Sequence, residues 1–253
     1  MGDYVGLFPA AGRGTRLGLQ GISKEIVAVS LHGETPRPVG LFLLEAWQRA
    51  GIEQAIVISR PGKEDIQTCF TRHTGQLPTL HYIHATEPWG TPFTLDSAYP
   101  LLQGRNVALG FPDILMQPDD AFGQLKNRFE AQDCDVLLGL FPATAPARSD
   151  MVELGADRQV RRLHIKPART SLQLTWAIAL WRPVFSAFLH DYIRCVTPQF
   201  HTPTPPAEPF VGDVINAAIE AGLRVAALPL QNARMLDIGT PQALAKAQRS
   251  AFP

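Results

Sequence analysis

Cysteine is scarce in this sequence, charge of neither sign is in surplus, and apolar runs are short. The three cysteines, Cys69, Cys134 and Cys195, lie far apart along 253 residues. They form neither a disulfide framework nor a zinc-ligand spacing, which suits a reducing cytoplasm. Lysine plus arginine and aspartate plus glutamate each number 23, so no general field draws the chain to nucleic acid. Any bound anion must be held by a few placed groups. The opening Met1-Gly2-Asp3-Tyr4 lacks the charged and apolar regions of a signal peptide, and no uninterrupted apolar run reaches bilayer length. The expectation is a soluble, cytoplasmic protein with neither a membrane nor a nucleic-acid partner. Internal repeats and low-complexity tails are also missing.

Hydrophobic residues make up 45% of the chain and charged residues 18%, enough apolar material for a substantial core. Short apolar runs at Tyr4 to Pro9, Ala55 to Ser59, Asn106 to Gly110 and Asp135 to Phe141 predict buried strands. Helical spacing at Val39 to Ala50, Lys63 to Arg72 and Asp119 to Ala131 alternates with them. This order predicts an α/β fold, a largely parallel sheet with helices on both faces. Farther on, Val160 to Ile165, Trp176 to Trp181 and Arg224 to Leu228 read as strands, and Pro183 to Arg194 and Phe210 to Ala221 as helices. Gly222 suits a C-terminal cap; Thr240 and Pro241 suit the start of a last helix. Proline recurs from Thr197 to Pro209, which predicts a loop, either a cover for a pocket, a contact with another subunit or a plain surface excursion.

The most informative stretch is Leu7-Phe8-Pro9-Ala10-Ala11-Gly12-Arg13-Gly14-Thr15-Arg16-Leu17-Gly18, followed by Ser23-Lys24-Glu25. A strand breaks into a turn of small residues, where Gly12 and Gly14 let the backbone approach a ligand closely. Backbone N–H groups in such a turn hold phosphate oxygens; Arg13 and Arg16 add guanidinium forks, and Lys24 a point charge. No Gly-Lys-Ser or Gly-Lys-Thr of the ATPase phosphate loop occurs, and Leu17 stands where a dinucleotide fingerprint needs its third glycine. A purely structural turn stays open on this stretch alone.

With four further blocks, the turn resembles the sugar nucleotidyltransferase family. The matching segments are Gly12 to Leu17, Ser23-Lys24, Trp89-Gly90-Thr91, Phe111-Pro112-Asp113, Ile165-Lys166-Pro167 and Asp237-Ile238-Gly239-Thr240-Pro241. The resemblance implies a Rossmann-like, mixed but mostly parallel sheet flanked by helices, in one domain spanning 1–253. Its nucleotide-binding half would cover about 1–140 and its acceptor-binding half about 141–253. It implies nucleotidyl transfer from a nucleoside triphosphate, dTTP or UTP, to a sugar 1-phosphate, with magnesium as cofactor. Arg13 would bind the β and γ phosphates, Lys24 the α phosphate and Lys166 the sugar phosphate; Asp113 and Asp237 would hold the metal. Ala10, Ala11, Gly12, Gly14, Thr15, Ala85 and Gly90 would line the nucleotide, and Asp150, Glu153, Trp176 and Ala177 the acceptor. Relatives are often oligomeric, so a homo-oligomer is a further expectation, and the chain stops too soon after Asp237 for an appended β-helix domain.

Chemistry agrees with these roles. The attacking phosphate oxygen is already an anion near neutral pH, so the reaction needs charge neutralisation and alignment rather than a general base. Two aspartates beside substrate phosphates match the habit of magnesium. Departures from the family pattern gather on the base and acceptor sides. Ile165 replaces a glutamate, Asp150 stands where glycine is usual, Trp176-Ala177-Ile178-Ala179 replaces Gly-Ile-Tyr, and Ala85 replaces the glutamine that thymidylyltransferases use for the base. Asp150 could bind an amine or hydroxyl and Trp176 could stack on a ring; their plain readings are a loop carboxylate and a core aromatic. Two rivals remain: a cytidylyltransferase acting on a non-sugar phosphate or phosphonate, and a non-catalytic nucleotide-sugar sensor. His81 and His84, three residues apart on an expected strand, point to opposite faces and make a poor metal pair. Arg158, Arg161 and Arg162 read as solvated surface.

Overall fold

The computed structural model describes residues 3–18, 21–30, 35–73, 75–87 and 89–249; the side chains of Arg16 and Arg249 lie outside it. In chain order the elements are β1 (Tyr4–Pro9), β2 (Ala28–Val29), β3 (Arg37–Pro38), α1 (Val39–Arg49), β4 (Gln54–Ser59), α2 (Glu64–Thr71) and β5 (Thr79–His84). Then come α3 (Thr91–Asp96), β6 (Asn106–Gly110), β7 (Ile114–Gln117), α4 (Ala121–Ala131), β8 (Val136–Pro142), β9 (Met151–Leu154) and β10 (Val160–His164). The chain ends with β11 (Leu174–Trp181), α5 (Pro183–Phe200), α6 (Val211–Glu220), β12 (Val225–Pro229), β13 (Arg234–Asp237) and α7 (Pro241–Arg249).

A nine-stranded sheet forms the body of the molecule. β5, β4, β1 and β6 run parallel, β11 lies antiparallel to β6, and β8 and β12 follow on the far side of β11. The β9–β10 hairpin continues from β11 through Thr175 opposite Met151. The fold is therefore a mixed, mostly parallel sheet flanked by helices, as the alternation of short apolar runs and helical periods predicts.

Side chains of β1 alternate between two cores. Val5 and Leu7 pack with α3, α5 and α6 residues such as Phe93, Leu189 and Val214 on one face. Tyr4 and Phe8 pack with α1, α2 and α4 residues such as Leu44, Phe70 and Phe122 on the other. Period-two burial on both faces explains why the strands read as continuous apolar runs. Gly6 permits the closest approach: a Cβ there would lie 2.6 Å from Cε3 of Trp47 in α1. A third, smaller cluster joins α7 to β2 and β7 through Val29, Leu115, Ile238 and Leu244. Among the described residues no helix is long and apolar enough to cross a membrane.

The proline-rich segment departs from expectation at its start. α5 runs through Pro198 to Phe200, where a loop was predicted from Thr197. Proline deletes one helical hydrogen bond. However, Phe200 is 8% exposed and packs on Trp89 and Phe93, and the Thr197 hydroxyl donates to the Ile193 carbonyl at 2.7 Å. Tertiary burial outweighs the local penalty, and the loop proper begins at His201.

Candidate active site

Four parallel strands end at one edge of the sheet, the place where open α/β sheets gather ligands. The segments leaving β1, β4, β5 and β6 there are Ala10 to Gly14, Arg60 to Lys63, Ala85 to Gly90, and Phe111 to Asp113. Backbone bonds stitch them together: Ala10 N–H donates to the Ile58 carbonyl and Ala85 N–H to the Ser59 carbonyl, each at 2.8 Å. The predicted nucleotide residues Ala10, Ala11, Gly12, Gly14, Thr15, Ala85 and Gly90 thus share this edge or the turn leading from it.

Gly14 adopts φ +64°, a left-handed conformation that glycine accepts without strain, and caps a 3₁₀ turn over Thr15–Leu17. Beneath the loop runs the stem of Lys24, its Cε 3.9 Å from a Cβ position on Gly12 and its Cβ 3.8 Å from one on Gly14. Lys24 is held from both sides in sequence. The Ser23 backbone N–H and hydroxyl donate to Asp65, at the start of α2, at 2.8 and 2.7 Å. Glu25, fully buried, accepts from the Lys63 ammonium at 2.8 and 3.0 Å. The same ammonium donates to the Ala10 carbonyl at 2.6 Å and so ties the phosphate-type loop to β4's exit. Burial pushes the Glu25 carboxyl up and the Lys63 ammonium down, and their contact opposes both shifts.

The structure brings Asp113 and Asp237 together. β7 and β13 pair antiparallel outside the main sheet, with Asp237 opposite Ile114, and Ile238 N–H donates to the Asp113 carbonyl at 2.9 Å. Lys24 Nζ lies 2.5 Å from Asp113 Oδ2. Burial disfavours the Lys24 charge, but Asp113, Glu25 and Asp237 outweigh it and hold the ammonium above its usual range. Asp237 ends a strand rather than simply opening a helix turn; its Oδ1 accepts from Gly239 N–H at 2.7 Å. Among the described residues no group of three or more His, Cys, Asp or Glu converges on a point. Two carboxylates, one just before β7 and one at the end of β13, therefore make a half-set that fits magnesium, which usually completes its shell with substrate phosphates and water.

The residues expected on the acceptor side divide. Asp150 lies next to Gly212 at the start of α6, its Oδ2 2.9 Å from a Cβ position there, and Oδ1 is buried with no hydrogen-bond partner among the described residues. Burial raises the Asp150 carboxyl to about 6, with the nearby Lys166 charge only partly opposing it. Lys166, at φ +41°, rests its Nζ 3.5 Å from the centre of the Phe210 ring. Trp176 is 7% exposed and meets Phe111 edge-on at 5.7 Å, while Ala177 is fully buried in the other core at a β-bulge. Glu153 pairs across the hairpin with His164 at 2.8 Å. Gly90, at φ +110°, abuts the proline-rich segment: a Cβ there would lie 3.1 Å from the Pro209 carbonyl.

Residues that reading the sequence passed over are Arg60, Lys63 and Asp65. With Arg13, Ser23 and Lys24, the first two line a cavity of about 120 Å³. Their one available signal was position, since Arg60 immediately follows a strand predicted to lie in a parallel sheet.

A protein of Bacillus anthracis assigned as a glucose-1-phosphate thymidylyltransferase, solved with sucrose, superposes with a TM-score of 0.77 at 17% identity, over 99% of this chain and 97% of that one. UDP-glucose pyrophosphorylase from Acinetobacter baumannii gives 0.77 at 17% identity, over 98% and 92%. A UDP-glucose pyrophosphorylase complexed with UDP-glucose gives 0.78 at 14% identity, over 96% of each chain. At such identities these establish the fold. The chain matches no curated protein sequence. The family model for nucleotidyl transferases matches residues 6–252, nearly the whole length, and the chain belongs to the nucleotidyl transferase family.

Proposed function

We propose that this protein transfers a nucleotidyl group from a nucleoside triphosphate, dTTP or UTP by preference, to a sugar 1-phosphate, releasing pyrophosphate in a magnesium-dependent reaction. The observation that carries this reading is the meeting of Lys24, under the glycine-rich turn, with Asp113 and Asp237 at the exit of the parallel strands. The backbone of Gly12 to Gly14 and the Arg13 guanidinium cradle the triphosphate; Lys24 lies at the α phosphate. Lys166 orients the acceptor's phosphate for in-line attack. Its attacking oxygen is already ionised, so the protein's contribution is alignment and fixed positive charge in a partly desolvated cleft. Magnesium, when bound, would be held by Asp113 and Asp237 and would neutralise triphosphate charge.

A panel of nucleoside triphosphates against sugar 1-phosphates, read by pyrophosphate release, tests this. Turnover with one pair, lost on chelating magnesium and in Asp113→Asn and Asp237→Asn, is the expected result. Binding of a triphosphate with no pyrophosphate from any pair would instead mark a sensor. Asp150's unpartnered buried oxygen, together with Ile165 in place of the family's glutamate, favours keeping CTP with amine-bearing phosphate or phosphonate acceptors in the panel.

A further inference from the structure

Positive charge in the cavity at the ends of β1 and β4 exceeds what the roles of Arg13 and Lys24 require. Arg13, Lys24, Arg60 and Lys63 all line it. Two of the four are matched, Lys24 by Asp113 and Lys63 by Glu25. The two guanidiniums have no carboxylate partner among the described residues. Arg60 donates from Nη1 to the Pro61 carbonyl at 3.2 Å, and its Nε is buried with no partner among the described residues. A buried charged donor left unpaired is costly, and in native proteins such groups usually meet a ligand or water. β4 lies beside β1 in parallel register, Pro9 opposite Ile58, so Arg60 leaves the sheet next to the glycine-rich turn.

We propose that Arg60 is a second guanidinium for the pyrophosphate end of the triphosphate, closing with Arg13 on the β and γ phosphates and retaining the pyrophosphate as it departs. This rests on the transferase reading above. In the transfer step the acceptor's phosphate oxygen forms a bond to the α phosphorus. The bond from that phosphorus to the bridging oxygen breaks, and its electron pair stays with pyrophosphate; no proton has to move. Charge therefore grows on the leaving group, and a planar fork is the side chain best shaped to receive two of its oxygens. Lys63, engaged with Glu25 and the Ala10 carbonyl, acts as a positioning residue that keeps β4's exit and the glycine-rich turn in register.

Calorimetric titration of the full chain with pyrophosphate tests the assignment, using wild type, Arg60→Gln and Arg60→Lys. The nucleoside monophosphate of the base that wild type turns over serves as the contrasting ligand. Arg60→Gln should weaken pyrophosphate and raise KM for the triphosphate by about 10- to 100-fold, with monophosphate affinity changed by less than about twofold. Arg60→Lys, which keeps the charge without the fork, should fall between and guards against a misfolded glutamine variant. Unchanged pyrophosphate affinity in Arg60→Gln beside normal wild-type turnover would overturn the role of Arg60 and leave the transferase reading standing. Equal losses for both ligands would likewise overturn it, since that pattern belongs to a collapsed site. Wild-type protein that neither binds pyrophosphate nor releases it from any triphosphate would overturn both.

Discussion

The Lys63 ammonium touches three oxygens, two from Glu25 and one from Ala10, at a site where the pair is 5% and 0% exposed. Replacing Lys63 by Met strands a buried carboxylate, which costs about 3–5 kcal/mol of stability. Chemical denaturation should record that loss, and pairing the change with Glu25→Gln should recover part of it. Asp150 gives a pH signature of the opposite kind. Its carboxyl is raised to about 6 in the fold, so the folded protein holds a proton that the unfolded chain releases near the ordinary carboxylate range. The associated stability is complete at acid pH and declines as pH rises through about 6. Asp150→Asn should therefore raise Tm at pH 7.5 and leave it unchanged near pH 4, in thermal melts across that range. At this scale the sequence disclosed the glycine-rich turn and both aspartates because each sits in a local motif. Lys63 and Asp65 stayed hidden because their partners, Ala10, Glu25 and Ser23, come from a separate segment of chain, and Arg60 because the cavity it lines is completed by that same segment.

Elements were legible where burial is regular. β1, β4 and β6 are apolar on both faces, so their runs stand out, whereas β7 and β13 are four-residue strands with one partly polar face and meaning only as a pair. No periodicity can announce such a ladder. α5 shows the converse, a local rule overridden: Pro198 forecasts a break that Phe200, seated on Trp89 and Phe93, postpones. The contact of β1 with α1 is equally particular. Gly6→Ala would drive a methyl group into the rigid Trp47 indole at 2.6 Å, with an expected destabilisation of about 1–3 kcal/mol by overpacking. A urea melt followed by tryptophan fluorescence would measure it, and an unchanged midpoint would contradict the packing described.

Across the whole molecule, β11 joins the parallel strand β6 to β8 and β12 and also reaches the β9–β10 hairpin. Cutting near residue 142 would expose the β6 edge and half of each core. The isolated front portion should consequently show no cooperative unfolding, while the intact chain should lose near- and far-ultraviolet dichroism in one coincident transition. The balanced sequence charge and the basic cavity also make separate forecasts: triphosphate binding should weaken with added salt, with no accompanying affinity for duplex DNA. The antiparallel pairing of β7 with β13 has one more result. It lies outside the large sheet and holds the segment of Asp237 against that of Asp113, so β7 and β13 tie together the two ends of a stretch whose middle, β8 to β12, is built into that sheet. Drawing the two aspartates apart would therefore mean breaking this short ladder rather than any pairing of the large sheet.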